Sequence, residues 1–412
     1  MIINTVTLLG HKDHGKSTLI GSMLMHTGSA TKVRINEAKM YSKRLGKAFE
    51  PAFILDSFSE EREGGLTIDT TRAQIKYKDS AFELIDVPGH EELIKNMISG
   101  ASYAKFAILL VSAKKDEGIR PQTKRHLFLA KMLGISNFII AVNKMDTVKY
   151  SEHRFEVIRE ELLKFLEKIG IEGRHVQFVP ISAYTADNLT KNSKNIRWYT
   201  GKPLLEIMRA MANHKDSGSS DGNIRIILQG SMPHETDSLL IGNVASGEIK
   251  IGSNVKIVPQ GIYAMVNSLF VKGSRKRSAK EGENVAIKLD KLIKTDTKGS
   301  VMYNQDYAKG NSANKFNALI FITKAIKGKV IIKFNGMDIK GTVKIKKLID
   351  TTNGLERGAK GAQQLNAANA EIKLESKIPA EPFSVSKELG RFIIYQGDDF
   401  SGIGTITSII GK

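Results

Sequence analysis

Near the amino terminus, Gly10-His-Lys-Asp-His-Gly15-Lys16-Ser17 fits the spacing G-x-x-x-x-G-K-[ST]. Glycines at both ends let backbone N–H groups approach phosphate oxygens, and a following helix adds the positive end of its dipole. Lys16 has the reach to meet β- and γ-phosphates, and the Ser17 hydroxyl can ligate Mg²⁺. Gly10, Asp13, His14, Gly15, Lys16, Ser17 and Thr18 are therefore the candidate phosphate-side residues. Further along, Asp86-Val-Pro-Gly89-His90 offers a carboxylate that can hold Mg²⁺ through water, and a Gly89 N–H for the γ-phosphate. Asn143-Lys144-Met145-Asp146 offers a base reader. A carboxylate at Asp146 can accept from both N1–H and N2–H of guanine, and adenine has no such pair of donors. Asn143 can tie this loop to the phosphate loop, and the Lys144 stem can lie over the base. Backbone N–H groups of Ser182 and Ala183 could meet the guanine oxygen. Thr67, in Glu60-Glu-Arg-Glu-Gly-Gly-Leu-Thr-Ile68, could complete Mg²⁺ coordination when GTP is bound and let go when the γ-phosphate leaves.

These residues need strands and helices to present them. Residues 3–9 read as a β-branched apolar run ending at Gly10, and 17–26 have helical spacing. The same reading predicts strands over 82–86, 106–111, 138–143 and 176–181. It predicts helices over 91–100, 122–133, 152–169 and 203–211. Each motif then sits at the carboxyl end of a strand, where open α/β sheets bind ligands. Alternating β and α elements imply a mainly parallel sheet with helices on both faces. A polar Gly/Ser stretch at 213–222 reads as a linker, and beyond it the pattern changes to short strands between glycine-rich turns. A second polar break falls at 309–314. The expected layout is a nucleotide-binding domain over 1–215, a β-barrel over 222–310 and a second β-barrel over 314–412.

The 412 residues are 41% apolar and 25% charged, which suits folded domains and excludes a mostly disordered chain. No apolar run approaches the ~18 residues needed to span a bilayer, so a cytoplasmic protein with no membrane partner is expected. The absence of Cys excludes disulfides, thiolate metal sites and Cys nucleophiles. Sixty-two basic against 43 acidic side chains give a net charge of +19, shared between both halves. Such a chain can bind nucleic acid, nucleotides or an acidic partner. The densest basic cluster is Lys272, Arg275, Lys276, Arg277 and Lys280, either a contact to a phosphate backbone or a solvated hairpin loop without aromatic neighbours.

On these motifs, with Glu61-Arg-Glu-Gly-Gly-Leu-Thr-Ile-Asp69 among them, the chain resembles the translation-factor GTPase superfamily. The resemblance implies a GTPase domain followed by two β-barrels, GTP/GDP and Mg²⁺ as ligands, and His90 as the residue that positions the attacking water. Two branches compete. One is the GTPase subunit of sulfate adenylyltransferase, which works beside a catalytic subunit; the other is elongation factor 1-alpha, which carries aminoacyl-tRNA to the ribosome. The stretch Ser193-Lys-Asn-Ile-Arg-Trp198-Tyr199 looks like both. The region after Asn143, Thr67-Ile-Asp-Thr-Thr71 and Gly390-Arg-Phe-Ile-Ile-Tyr395 look more like the sulfate branch, which is the leading expectation. Asp13-His14-Gly15 and the high net charge favour the elongation-factor branch. Two departures stand out. Lys12 and Leu66 occupy positions where the family usually has Val or Ile and Ile, side chains that form an apolar gate beside the catalytic His. Altered hydrolysis is expected from Lys12, which leaves a third reading, a GTP-bound scaffold with little turnover. In the first barrel, Gly242-Asn243 stands where the family usually carries Arg after the glycine.

Overall fold

The computed structural model describes residues 3–55, 71–86, 104, 106–213, 222–234, 237–307, 312–358 and 366–410. Two compact units divide the chain: Met1–Lys215 with Thr351–Gly354, and Asp216–Asp350 with Leu355–Lys412.

The first unit is built on six strands: β1 (Ile3–Gly10), β2 (Thr71–Tyr77), β3 (Ser80–Asp86), β4 (Phe106–Ser112), β5 (Asn137–Asn143) and β6 (Val176–Pro180). Their order is β2-β3-β1-β4-β5-β6. Only β2 runs antiparallel to its neighbour, as the second arm of a hairpin with β3. All seven residues of β4 are buried, the signature of a parallel strand covered on both faces. The described helices are α1 (Lys16–His26), α2 (Lys32–Arg44), α3 (Pro121–Met132), α4 (Glu152–Lys168) and α5 (Leu204–Asn213). Helix α4 shows why such segments become helical. Phe155, Ile158, Leu162, Phe165 and Leu166 recur at helical spacing and are all buried. The Ser151 hydroxyl accepts the Arg154 N–H at 3.2 Å and caps the start. Each such buried side chain contributes about 1.5–3 kcal/mol relative to exposure. The helix expected over 91–100 lies outside the described residues.

The second unit holds two closed antiparallel barrels of six strands. The first comprises β7 (Arg225–His234), β8 (Asp237–Ser246), β10 (Asn254–Val258), β11 (Ile262–Val271), β14 (Asn284–Leu289) and β15 (Val301–Asn304). The ring runs β10-β15-β7-β8-β14-β11 and closes by pairing β11 with β10. Three short strands decorate it: β9 (Glu248–Lys250), β12 (Ser274–Lys276) and β13 (Ser278–Lys280). The second barrel comprises β16 (Ala313–Ile322), β17 (Lys329–Phe334), β18 (Met337–Ile349), β20 (Asn366–Ile378), β21 (Arg391–Gln396) and β22 (Asp399–Ile409), with β19 (Glu356–Gly358) on its edge. It closes through β17 and β18. Closure removes the unpaired strand edges that an open sheet would expose. The alternation along β14, where Val285, Ile287 and Leu289 are buried, turns every second side chain into the barrel interior.

Val258, Val301 and Tyr303 of the first barrel belong to the same buried cluster as Phe316, Ile320 and Phe392 of the second. A buried ion pair lies beside them. Arg225 Nε donates to both carboxylate oxygens of Glu381 at 3.0 Å, and a terminal guanidinium nitrogen lies 2.9 Å from Oε2. The other terminal nitrogen donates to Ser246 Oγ, and Tyr307 Oη accepts a further bond.

Candidate guanine-nucleotide site

Strand β1 ends in the loop that leads into α1. Gly10 and Gly15 both have positive φ, 141° and 88°. A Cβ at Gly10 would lie 2.7 Å from the Leu110 carbonyl oxygen, and one at Gly15 would lie 2.5 Å from Asn143 Nδ2. Backbone conformation and space thus both require glycine there. His14 is buried between them. Its Nδ1 donates to the Leu110 carbonyl at 3.0 Å, so its neutral form carries the proton on that nitrogen. From α3, His126 Nδ1 accepts the Gly10 N–H at 3.4 Å and fixes the start of the loop. Lys16 is buried, donates to the Gly10 and His11 carbonyls, and lies 3.9 Å from Asp86 Oδ1. Ser17 and Asp13 are exposed, as is Lys12, whose ammonium stays in water. The Thr18 hydroxyl donates to Glu50 Oε1 at 2.9 Å.

At the end of β5, Asn143 joins three loops. Its Nδ2 donates to the His14 carbonyl at 2.9 Å, and its Oδ1 accepts the Ala183 N–H at 2.9 Å. The Ser182 N–H donates to the Asp187 carbonyl. Both N–H groups expected to read the guanine oxygen are thus engaged within the protein, where they hold their loop against Asn143 and Asp187. Lys144 follows in the left-handed region, with φ 63°, and Lys149 and Tyr150 share that conformation. Each such non-glycine residue costs ~1 kcal/mol or more, and strain of this kind gathers at binding loops. Asp146 Oδ1 is buried without a hydrogen-bond partner. A buried carboxylate oxygen in that state is costly unless a ligand supplies a donor. Guanine N1–H or N2–H fits that need, so the residues present suit the base that Asp146 implies.

Gly89, His90 and Thr67 lie outside the described residues. The remaining phosphate-side and base-side residues, from Gly10 to Ala183, come from the ends of β1, β3, β5 and β6, the edge at which a doubly wound sheet binds ligands. Among the described residues no group of three or more His, Cys, Asp or Glu is placed to hold a metal. Mg²⁺ characteristically takes one or two protein oxygens and completes its shell with phosphate and water. Ser17 and Asp86 are the described residues that would hold it.

Three residues that motif reading passed over shape the site: Glu117, His126 and Arg154. Arg154 Nε donates to the Ala113 carbonyl at 2.8 Å and its terminal nitrogen to the Lys114 carbonyl at 3.1 Å. Those bonds pin the loop that carries Glu117. The only sequence signal was an acidic residue among lysines after a buried strand.

Burial pushes the His14 imidazole down to about 4, against the upward pull of its bond to Leu110 and of Glu117, while His11 and Lys144 add to the lowering. Unfolded, the ring takes up a proton near 6.5; folded, it refuses one until about 4. Unfolding therefore binds a proton in that window, and this contribution to stability is complete above 6.5 and falls as pH drops toward 4. Thermal unfolding at pH 7.5 and pH 5 is expected to show a smaller loss in His14→Gln than in the wild type. Equal losses would remove His14 from the acid response.

Residues 1–217 match the elongation factor Tu GTP-binding domain family, and 315–407 match the GTP-eEF1A C-terminal domain-like family. Among curated relatives, elongation factor 1-alpha of Aeropyrum pernix is 33% identical over 98% of this chain and 96% of its own length. The Metallosphaera sedula protein of the same name is 32% identical over 98% and 96%, and that of Natronomonas pharaonis is 30% identical over 98% and 97%. Among the described residues no helix is long and apolar enough to cross a membrane.

Proposed function

Because the chain belongs to the translation-factor GTPase superfamily and is elongation factor 1-alpha-like, we propose that it is a GTP-driven switch that carries aminoacyl-tRNA to the ribosome. The observation that carries the nucleotide half is the convergence of three loops on Asn143, with the partnerless Asp146 oxygen beside them. Lys16 and Mg²⁺, held by Ser17, Asp86 and Thr67, would neutralise charge on the transferring phosphoryl group, and His90 would orient water. GTP would order the Thr67 and Gly89 segments and GDP would release them. Cytoplasm is the compartment this work requires. The sulfate-activating reading rested on short stretches such as Thr67-Ile-Asp-Thr-Thr71. It gives way to relatives that share the elongation-factor name across nearly their whole length.

Charge supports the RNA half. Several lysines of the second barrel are paired with carboxylates, as in Lys315–Glu371, Lys329–Glu375, Lys333–Asp338 and Lys347–Glu356. Lys272, Arg275, Lys276, Arg277 and Lys280 differ. They are exposed on and after the turn from β11 to β12, and among the described residues none has a salt-bridging carboxylate. Exposed cations gathered on and beside a short hairpin suit a phosphate backbone, Lys280 being the one that faces a carboxylate, Glu248, across β13 and β9. Labelled aminoacyl-tRNA is expected to bind with a non-hydrolysable GTP analogue and far more weakly with GDP. Its affinity should fall steeply with salt. Replacing Lys272, Arg275, Lys276 and Arg277 by Ala should flatten the plot of log K against log salt by up to about 3.6, at ~0.7–0.9 for each phosphate no longer neutralised. Absence of binding in either nucleotide state would refute the carrier reading.

A further inference from the structure

Lys144 has an uncommon setting for a surface lysine. Its Nζ donates to Glu117 Oε2 at 2.7 Å, and Lys114 Nζ lies 3.4 Å from the other oxygen of the same carboxylate. Both partners of the first pair are mostly covered, with side-chain exposures of 25% for Lys144 and 18% for Glu117. Glu117 itself is well anchored. Its loop follows β4 directly, and two of its carbonyls are held by Arg154 from α4. Gly118 lies against the Arg154 guanidinium, where even a Cβ would come within 3.2 Å. Partial burial would raise the Glu117 carboxyl, but hydrogen bonds from Lys144 and Ser112, helped by the Lys144 charge and by Lys114, hold it at about 2. It is therefore ionised at any working pH.

The chain thus places a rigid anion 27 positions before the base-reading loop and fastens that loop's lysine to it. We propose that Glu117 is a positioning residue of the base pocket: it holds the Lys144 ammonium so that the Lys144 stem stands as a fixed wall against the guanine ring. This rests on the guanine-nucleotide reading above. Lys144 has a left-handed backbone, precedes a 3₁₀ turn over Met145–Val148 and makes no side-chain capping bond to it, so the bond to Glu117 is what orients its ammonium. With Glu117 in place the wall exists before the nucleotide arrives, and binding need not order it.

The test is the affinity of the full chain for a fluorescent GDP with Glu117→Gln, Glu117→Asp, Lys144→Ala and the double variant Glu117→Gln/Lys144→Ala. Gln keeps the shape and removes the charge; Asp keeps the charge and withdraws it from Lys144. Each single variant should weaken GDP about three- to tenfold at a temperature where the nucleotide-free variant is still fully folded, a lower thermal midpoint being expected for Glu117→Gln from the lost ion pair. Glu117→Gln should cost nothing further once Lys144 is Ala, because it acts through that side chain. A Glu117→Gln affinity equal to wild type would overturn the proposal. So would an undiminished Glu117→Gln effect in the Lys144→Ala background. Should Glu117→Gln fail to fold, Glu117→Asp carries the same comparison. A wild-type chain that binds no GDP would instead overturn the guanine-nucleotide reading, and this proposal with it.

Discussion

Asp146→Asn is expected to weaken GDP binding by about a thousandfold and to create binding of xanthosine diphosphate. With guanine bound, the two oxygens of Asp146 would face two donors, N1–H and the N2 amino group. Each charge-assisted bond contributes about 1.5–3 kcal/mol; Asn forfeits one of them, takes the charge from the other and sets donor against donor, together roughly 3–6 kcal/mol, and every 1.4 kcal/mol is about tenfold. An Asn at this position presents one acceptor and one donor. Against guanine the donor meets the N2 amino group, donor to donor. Xanthine carries an oxygen at that ring position, so the same Asn amide pairs with its N1–H and O2. Equilibrium titration with both diphosphates reads the exchange. Unchanged GDP affinity in the variant would mean that the base sits elsewhere. Asp146 Oδ1 already lies buried without a partner, so removing its charge should not unfold the apo loop.

The largest loss of stability is expected from Arg225→Met in the paired barrels. Arg225 and Glu381 are 2% and 3% exposed. Removing the guanidinium leaves a carboxylate buried without its counter-charge, which costs about 3–5 kcal/mol. Tyr307 and Ser246 also lose the donors they now accept from. Replacing both partners, Arg225→Met with Glu381→Leu, should restore most of the stability, because two charges no longer need to be desolvated. Denaturant unfolding, followed by a probe in the barrels because a chain of several domains need not unfold in one step, distinguishes the two. A single variant as stable as wild type would show that water reaches the pair. A double variant as weak as the single one would assign the loss to packing.

Much of the first unit was legible because burial leaves a strong trace. Strands β4 and β5 are almost wholly buried and read as apolar runs, and β5 ends at a recognisable motif. Helix α2 left no such trace, since only Ala38 and Ser42 of its length are buried and it has no apolar stripe to detect. Strand β2 was missed although Ala73 and Ile75 alternate with Arg72, Gln74 and Lys76 with the period of a strand, because two buried residues in a segment of seven make a weak pattern. In the first barrel β11 carries apolar residues on both faces and a register shift between Val266 and Ser268 that breaks the period of two. Strand β22 was not read as a strand, and Gly402 and Gly404 interrupt its pattern. Its packing explains them: a Cβ at Gly404 would sit 2.1 Å from the Phe392 ring, and one at Gly402 would sit 2.3 Å from the Phe321 carbonyl oxygen.

The site divides in the same way. Residues that meet phosphate or base must have particular chemistry at particular spacing, so Lys16, Asn143 and Asp146 stood out. Glu117, His126 and Arg154 act on those residues from other elements, and their partners lie 27 to 116 positions away. No spacing rule announces a contact of that kind. The choice of branch is a different matter. The sulfate-branch expectation rested on short stretches such as Thr67-Ile-Asp-Thr-Thr71, and the relatives back the elongation-factor alternative better, because similarity spread over 98% of the chain integrates hundreds of positions where five residues carry little information.

Competition for a fluorescent GDP by GTP, GDP and ATP in the presence of Mg²⁺ tests the central claim most directly. The account predicts that GTP and GDP displace the probe and that ATP needs at least a hundredfold higher concentration. Displacement by ATP as readily as by GTP, or no binding of the probe at all, would contradict it.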